Sequence, residues 1–348
     1  MDFDDTFVKK LVPVEKAVGM VLPHDITEIV PGKKKGCAFK KGHIIKEEDI
    51  PRLKNLGKFN IYCLELGPDH VHENEAGITL GKLACGEGVE TDLKVSEGKV
   101  NFKSKLDGLF KVDEDLLYEI NLLGDIIIST RHSNSVVKKG ESVAAGRAIP
   151  LVISRKILNK AVEILKDANG LLRVLPFKIQ KAAILVTGRE VYEGLVEDAF
   201  GPAMTKKLEA YSIEVISLKK VPDDIKLISD GIKDAIVKGA QLVLCTGGMS
   251  VDPDDVTRKG ISRAGATSIT YGSPVLPGAM FLVSYLNGIP ILGIPACGMY
   301  FKTTVLDIVL PRILAGEKIG REEIAALGHG GLCLCCKKCN YPICPFGK

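Results

Sequence analysis

The sequence predicts an α/β protein whose C-terminal half is a three-layer α/β/α domain with a mostly parallel sheet. Strand-like and helix-like segments alternate from residue 176 to about 316, which is typical of a parallel sheet with helices on both faces. Short apolar runs separated by glycine turns fill 88–153 and indicate a β-rich region. Five of the ten cysteines fall between Cys333 and Cys344. We therefore predict a β-rich N-terminal region at 1–175, in one or two small subdomains, an α/β domain at 176–318 and a cysteine-rich metal-binding tail at 319–348.

The N-terminal region is predicted to be built from short strands and hairpins. A hairpin at 39–45 leads to a short helix at 47–53, and another strand follows at 61–66. A helical pattern over 157–168, ended by Asn-Gly, connects this region to the next domain. Six lysines and no acid occupy 33–46. This lysine cluster suits an acidic partner or nucleic acid, but a solvated hairpin rim is the favoured interpretation.

The α/β domain places four loops at one edge of its predicted sheet. Ligands of such sheets bind beyond the carboxyl ends of the strands. The loops that follow strands there are 187–190, 221–224, 246–250 and 295–298. The predicted strands cover 182–187, 213–218, 242–245, 280–283 and 289–294, and the predicted helices cover 202–211, 223–238, 254–263 and 299–314.

The stretch from Gln241 to Thr257 carries the clearest chemical signal. An apolar run at 242–245 is followed by Thr-Gly-Gly, and two glycines allow a sharp turn with no side chain between a ligand and the backbone. Asp252 and Pro253 then predict a helix start. Backbone N–H groups and a helix N-terminus together favour an anion. The nearby carboxylates indicate a divalent cation shared with a phosphate. An ordinary strand-to-helix connection is the alternative.

The Thr-Gly-Gly at 246–248, followed by Asp-Val-Thr at 255–257, resembles the signature of the molybdopterin-binding domain of molybdenum-cofactor biosynthesis proteins. That family includes molybdopterin adenylyltransferases, molybdopterin molybdenumtransferases and a domain shared with competence-damage-type proteins. The resemblance implies a pterin phosphate on the Gly-Gly loop and a catalytic or metal-binding acid at Asp255. The segments 187–190 and 222–224 are similar to two further family segments.

For Glu190 the resemblance implies metal or amine binding, against capping or a surface ion pair. For Asp223 it implies a functional acid, against a helix N-cap. The implied cofactor-binding residues are Thr187, Gly188, Glu190, Thr246, Gly247, Gly248, Met249, Ser250 and Thr257. The implied catalytic residues are Asp223 and Asp255, and Mg²⁺ is expected on Asp223, Asp252 and Asp255.

Two segments depart from the family pattern. Molybdenumtransferases carry Lys-Pro-Gly-Lys-Pro, whose lysines suit an oxyanion, where this chain reads Val-Leu-Pro-Gly-Ala-Met at 275–280. The later Leu-Pro-Gly-Asn-Pro becomes Ile-Pro-Ala-Cys-Gly at 294–298. Cys297 is therefore either a loop filler or a soft ligand near molybdenum or copper. These departures put the transferase activity in doubt but not the pterin-type ligand.

The C-terminal cysteines have the spacing of a metal site. Cys333, Cys336, Cys339 and Cys344 form C-x2-C-x2-C-x4-C, followed by proline. This is close to the ferredoxin spacing with one extra residue, so an iron–sulfur cluster is slightly favoured, and Zn²⁺ accepts the same four sulfurs. Cys335 is spare and can replace a neighbour. The alternative is an unstructured tail of free thiols.

Composition places the chain in the cytoplasm. The net charge of +4 is too small to imply nucleic acid by itself. The acidic N-terminus does not resemble a signal peptide, and no run approaches the ~18 apolar residues of a membrane span. Cytosolic thiols stay reduced, so dense cysteines favour a metal over disulfides.

We therefore predict an enzyme of molybdenum-cofactor biosynthesis. It would bind molybdopterin or adenylyl-molybdopterin with Mg²⁺ and insert molybdate or tungstate with loss of the adenylyl group. A molybdopterin adenylyltransferase and a non-catalytic carrier or sensor that docks on a molybdoenzyme remain alternatives. A homo-oligomer and a molybdoenzyme or other cofactor-assembly protein are the expected partners. A nucleic-acid-associated regulator is the weakest option.

Overall fold

The computed structural model describes residues 10–30, 34–166, 168–250, 252 and 255–348. It contains two compact units, one formed by 1–133 with 137–174 and the other by 134–136 with 175–348. Lys33 of the predicted lysine cluster and Pro253 of the predicted helix start lie outside the described residues. No helix in the described ranges combines the length and apolar character needed to cross a bilayer.

The N-terminal unit is rich in short strands, as predicted. Its strands are β1 (Lys10–Pro13), β2 (Ile26–Val30), β3 (Lys34–Phe39), β4 (Asn60–Cys63), β5 (His70–His72), β6 (Val89–Glu90), β7 (Lys99–Ser104), β8 (Gly108–Val112), β9 (Ile126–Thr130), β10 (Val136–Val137), β11 (Ser142–Ala148), β12 (Val152–Ser154) and β13 (Leu172–Pro176). Its helices are α1 (Ile50–Asn55), α2 (Glu73–Ala84), α3 (Glu114–Leu122) and α4 (Arg155–Lys166).

These strands form several small sheets rather than one large sheet. The orders are β6-β7-β11-β9 and β10-β8-β13, with separate pairs β1-β4, β2-β3 and β5-β12. Strand β7 shows the alternation of a half-buried strand, since Val100, Phe102 and Ser104 are buried and the residues between them are exposed. The long α4 lies where the connecting helix was predicted.

The C-terminal unit alternates strands and helices. Its strands are β14 (Lys181–Thr187), β15 (Glu214–Val221), β16 (Leu242–Thr246), β17 (Thr267–Tyr271), β18 (Leu282–Leu286) and β19 (Ile289–Ile294). Its helices are α5 (Arg189–Tyr192), α6 (Phe200–Glu209), α7 (Ile225–Val237), α8 (Thr257–Arg263), α9 (Cys297–Tyr300), α10 (Val305–Leu314) and α11 (Arg321–Ala326).

The six strands form one sheet of order β15-β14-β16-β19-β18-β17. The pairs β15-β14, β14-β16 and β16-β19 are parallel. Strand β18 runs antiparallel to both neighbours, so five strands point the same way. The predicted mostly parallel sheet is confirmed.

The central strand β16 explains why the sheet is covered on both faces. Every residue from Leu242 to Thr246 is buried. Leu242 and Leu244 join a core with α6 and α10, whereas Val243 and Cys245 join a second core with α7 and α8. Because successive side chains of a strand point to opposite faces, a continuous apolar run requires a helix layer on each side. The three-layer prediction is confirmed.

Two helix boundaries differ from the prediction. Helix α8 begins at Thr257, whereas the predicted start at 254 lies outside the described residues. The single helix predicted at 299–314 is split into α9 and α10. The split occurs because Thr304 and Asp307 form a capping box that starts a new helix.

The buried thiols give a test of this packing. Cys245 in β16 and Cys63 in β4 are fully buried, and burial raises their pKa values to about 12 and about 11. A thiol with a raised pKa stays protonated at pH 8, and only the thiolate is alkylated. We expect iodoacetamide to modify these two cysteines at least ~100-fold more slowly than the exposed Cys37 in the folded chain. Peptide mass spectrometry would measure this, and equal rates for Cys245 and Cys37 would contradict the described core.

Candidate functional site

Four parallel strands bring their carboxyl ends to one edge of the sheet. Val186 of β14 is paired with Thr246 of β16, and Thr246 with Ile294 of β19. Thr187 is paired with Val221, the last residue of β15. The loops that follow these strands therefore start at the same level. The loop after β16 lies between the loop after β14 and the loop after β19.

The loop after β16 depends on two consecutive glycines. Gly247 has φ +85° and Gly248 has φ +57°, conformations that residues with a Cβ atom adopt at a cost. A Cβ atom added at Gly247 would lie 2.5 Å from the Thr187 carbonyl oxygen. One added at Gly248 would lie 2.3 Å from the Thr257 Oγ1. Both positions therefore require glycine for conformation and for space.

A chain of buried hydroxyl groups supports this loop. The Thr187 Oγ1 donates to the Thr246 carbonyl oxygen at 2.9 Å. A hydroxyl has one hydrogen, so Thr257 is the donor in its 2.9 Å contact with the Thr187 Oγ1. All three threonines are buried. The Thr246 Oγ1 is itself buried and has no hydrogen-bond partner among the described residues, which is rare for a polar atom inside a protein.

The Gly-Gly loop opens onto a cavity of about 520 Å³, which we call the glycine pocket. Three loops line it, namely the Gly-Gly loop, the segment 276–280 and the start of the segment after β19. Its lining residues are Gly247, Gly248, Met249, Ser250, Asp255, Leu276, Pro277, Gly278, Ala279, Met280, Pro295, Ala296 and Cys297. None of these described lining residues is basic, and Asp255 is the one acid among them.

The polar groups of the glycine pocket come largely from the backbone. The N–H groups of Gly248, Met249 and Ser250 meet no acceptor among the described residues. The Met249 side chain does not face a ligand, because it is 2% exposed and packs on Gly293. Its carbonyl oxygen accepts a hydrogen bond from the Tyr271 hydroxyl at 2.7 Å. Met249 therefore anchors the loop and offers only backbone to the pocket.

Not all predicted site residues meet at this pocket. Asp223 accepts a hydrogen bond from the Arg189 backbone N–H at 2.9 Å and does not line the pocket. The helix cap predicted for Asp223 is made by its neighbour, since Asp224 accepts from the Leu227 N–H at 2.8 Å. Glu190 and Asp252 are exposed. The structure thus brings Asp255 to the Gly-Gly loop but does not bring Asp223 to the same cavity.

Thr187 and Thr257 lie against the Gly-Gly loop, and Gly188 follows Thr187 in the chain. All three are buried, and none lines the glycine pocket. Both hydroxyls of the pair Thr187 and Thr257 are occupied by internal hydrogen bonds. Their contribution in this structure is to hold the Gly-Gly loop in place.

The segment 276–280 was not predicted to line the site. Gly278 has φ +134°, and a Cβ atom there would lie 2.5 Å from Val305 Cγ1 of α10. This close approach packs the segment against the start of α10. The Pro-Gly pair at 277–278 signals a turn in the sequence, but not the neighbour on which the turn packs. Burial raises the pKa of Cys297 in the third loop, so this thiol stays protonated at neutral pH.

The start of the cysteine tail contacts Leu276, which lines the glycine pocket. Leu276 pairs with Leu332, the Leu276 N–H donates to the Gly331 oxygen and the Cys333 N–H donates to the Leu276 oxygen, both at 2.8 Å. All five tail cysteines line one cavity of about 270 Å³, which we call the thiol cavity. In the described ranges, no three His, Cys, Asp or Glu side chains already form a group that could hold a metal ion.

Comparison with known proteins gives two family matches. Residues 183–315 match the family model described as a probable molybdopterin binding domain. Residues 11–65 match a domain of unknown function, DUF8806. The first match contains the Gly-Gly loop, Asp255 and Cys297.

Curated relatives match only part of their own length. A CinA-like protein from Thermosipho melanesiensis is 33% identical over 85 residues, which are 24% of this chain and 21% of that protein. A protein from Archaeoglobus fulgidus is 36% identical over 81 residues, or 23% of this chain and 35% of that protein. The chain therefore spans about a fifth to a third of these relatives.

Two solved structures match about two fifths of the chain. The molybdopterin biosynthesis enzyme MoaB from Thermus thermophilus is 20% identical, with a TM-score of 0.35 over 40% of this chain and 98% of its own. The tungsten cofactor synthesizing protein MoaB from Pyrococcus furiosus is 18% identical, with a TM-score of 0.30 over 39% of this chain and 96% of its own.

Proposed function

We propose that this chain binds molybdopterin or adenylyl-molybdopterin in the glycine pocket and acts in molybdenum-cofactor biosynthesis, since residues 183–315 match the model of a probable molybdopterin binding domain. The observation that carries the proposal is the Gly-Gly loop itself. Two positive-φ glycines follow a buried strand at the carboxyl edge of the sheet, and three successive N–H groups there meet no acceptor in the part of the chain that the structure describes. Such a concave row of N–H groups favours an anion such as a phosphate.

The rest of the glycine pocket suits a flat heterocycle. Leu276, Met280 and Cys297 line it, and the volume of about 520 Å³ lies within the usual range of small-molecule sites. A pterin ring against these apolar groups, with its phosphate on the Gly-Gly loop, uses both kinds of surface. The hydroxyl of Ser250 is the side-chain donor available at the phosphate end.

The residues that line the glycine pocket bear on whether this chain inserts molybdate or tungstate. Insertion of molybdate or tungstate requires a site for an oxyanion, and charged donors are the strong ligands of oxyanions. The described lining contains no lysine or arginine. This observation favours the second candidate function, a carrier or sensor of the cofactor, over insertion. Insertion, adenylylation and docking on a molybdoenzyme or a second copy stay predictions.

The residues of the glycine pocket fit a Mg²⁺ site with fewer carboxylates than predicted. Mg²⁺ usually keeps several waters and is held by one or two carboxylates together with substrate phosphates. Asp255 lines the glycine pocket, whereas Asp223 and Asp252 do not. The predicted three-carboxylate site therefore does not fit, and an ion carried by the ligand phosphate could be shared with Asp255 alone. Catalytic roles for Asp223 and Asp255 stay predictions.

The proposal is tested by binding and turnover on the full chain under anaerobic conditions. Equilibrium dialysis with molybdopterin and with adenylyl-molybdopterin measures binding. AMP release on adding molybdate reports insertion, and pyrophosphate release with ATP reports adenylylation. We expect binding of at least one pterin form. Binding with neither product identifies a carrier, and no binding of either form would overturn the proposal.

Replacement of the Asp255 carboxylate by an amide tests whether this residue shares Mg²⁺ with the ligand phosphate. We expect Mg²⁺ to tighten pterin binding by about tenfold, or ~1.4 kcal/mol, in the unmodified chain and not in Asp255→Asn. The reason is that the amide no longer shares the cation with the phosphate. Asp252→Asn is the matched control, since Asp252 is exposed in the same segment. If both variants respond to Mg²⁺ like the unmodified chain, Asp255 does not contact the ion.

A further inference from the structure

The thiol cavity is a second site in the C-terminal unit, separate from the proposed pterin function. Cys333, Cys335, Cys336, Cys339 and Cys344 all line it, although they span twelve residues of chain. The cavity is also lined by Tyr300, the last residue of α9, and by residues 301–303 between α9 and α10. Five cysteines that line one cavity are a concentration of soft ligands that packing alone does not require.

The cavity is anchored at both ends. At one end the Cys333 N–H donates to Leu276. At the other, the Tyr341 hydroxyl donates to the Asp307 carbonyl oxygen at 3.0 Å and Phe346 is buried in the main core. Midway, Thr303 Oγ1 lies 3.2 Å from Cys339 Sγ. Residues 333–340 between these anchors have no helix or strand.

This architecture leaves Cys336 and Cys339 free to approach an ion, while Cys333 and Cys344 are held against the main core. Bringing four sulfurs to ~2.3 Å from one metal centre requires movement, because no such group is already formed among the described residues. The movement breaks no helix or strand hydrogen bonds between the anchors. Lys302 and Lys337 also line the cavity, and their charge offsets the negative charge of a tetrathiolate.

We propose that Cys333, Cys336, Cys339 and Cys344 form a tetrathiolate metal site that binds Zn²⁺ or an iron–sulfur cluster. For a divalent ion, each of the four thiols loses its proton and forms one sulfur–metal bond, so one ion enters, up to four protons leave, and no electron is transferred. Cys335 is not a ligand. Its backbone is left-handed (φ +49°), and its Sγ lies 3.7 Å from the Cys333 carbonyl oxygen.

The position of the site links it to the rim of the glycine pocket. Leu276 lines that pocket and exchanges two backbone hydrogen bonds with Gly331 and Cys333. A metal on Cys333 would therefore hold the segment 274–280 in place. This effect concerns backbone protection and does not depend on whether a pterin binds.

The test measures metal directly on the full chain. Zn²⁺ and Co²⁺ are titrated into reduced, metal-free protein with free thiols counted, and iron with sulfide is supplied in a parallel anaerobic reconstitution. We expect one ion or one cluster per chain, with four thiols protected. Intense cobalt–thiolate absorption indicates a mononuclear site. A stable brown chromophore that resists chelators indicates a cluster.

Matched variants identify the ligands. Cys336→Ser and Cys339→Ser should each weaken metal binding by on the order of 100-fold, whereas Cys335→Ser and Cys37→Ser, in the N-terminal unit, should not. Metal should also slow hydrogen exchange of the Leu276 and Cys333 amides. The proposal is overturned if no metal protects the thiols, or if Cys335→Ser weakens binding as much as Cys336→Ser. Circular dichroism and exchange in the sheet show that each variant is folded.

Discussion

Gly247→Ala is expected to abolish pterin binding and to destabilise the C-terminal unit by about 2–4 kcal/mol. The new methyl group would lie 2.5 Å from the Thr187 carbonyl oxygen. That oxygen belongs to the backbone at the end of β14 and cannot rotate away as a side chain could. The loop must therefore shift, which displaces the row of N–H groups at 248–250 that the proposed phosphate needs.

The control separates backbone strain from the clash. Gly239 also has a positive φ, +97°, and a Cβ atom added there meets nothing within 4 Å. Gly239→Ala should therefore lose only the ~1 kcal/mol cost of a left-handed alanine and should bind the pterin normally. Urea unfolding and equilibrium dialysis measure the two effects. Equal losses for the two variants would mean that the close approach of Gly247 to Thr187 has no consequence.

The place of the Gly-Gly loop in the fold could be predicted from the sequence because it depends on short-range patterns. A five-residue buried strand followed by two glycines is visible in the chain from 242 to 248. The alternation of strands and helices then predicts that this loop lies at the ligand-binding edge of a parallel sheet. A position for Asp255 near the glycines could also be predicted, since it follows them closely in the chain. In the structure it lines the same pocket.

The parts that sequence could not supply depend on contacts between distant segments. Asp223 follows β15, which β14 separates from β16 in the sheet, and its carboxylate accepts a hydrogen bond from the Arg189 amide. Nothing in the local sequence reveals that amide. The segment 276–280 enters the pocket because Gly278 packs on Val305 of α10. In both cases the competing partner lies more than twenty-five residues away.

The threonines show how a correct location can carry a different role. Thr187 was implied to contact the cofactor, and it does lie directly under the Gly-Gly loop. Its single hydrogen is given to the Thr246 carbonyl, and its oxygen accepts from Thr257. A hydroxyl that already donates one hydrogen bond and accepts another has little remaining hydrogen-bonding capacity for a ligand. The resemblance placed Thr187 near the Gly-Gly loop, and its hydrogen bonds indicate that it supports this loop.

Thr187→Val is the sharpest test of this hydroxyl chain. Valine keeps the shape of threonine but leaves the Thr257 hydroxyl without its acceptor and removes the donor to the Thr246 carbonyl, in a region closed to water. Each unpaired buried group costs about 1–3 kcal/mol, so we expect a loss of roughly 2–4 kcal/mol in the free energy of unfolding. Thr257→Val should cost less, about 1 kcal/mol, because the bond from Thr187 to Thr246 survives.

The double variant and the pterin affinity then distinguish support from contact. If the hydroxyls form one chain, the cost of Thr187→Val with Thr257→Val together is smaller than the sum of the single costs, since Thr257 no longer has an unpaired hydroxyl. Additive costs would contradict the chain. For a supporting role, pterin affinity should fall in both single variants in the order of their stability losses. A large affinity loss in Thr187→Val without a stability loss would instead show that Thr187 contacts the ligand directly, as the resemblance implied.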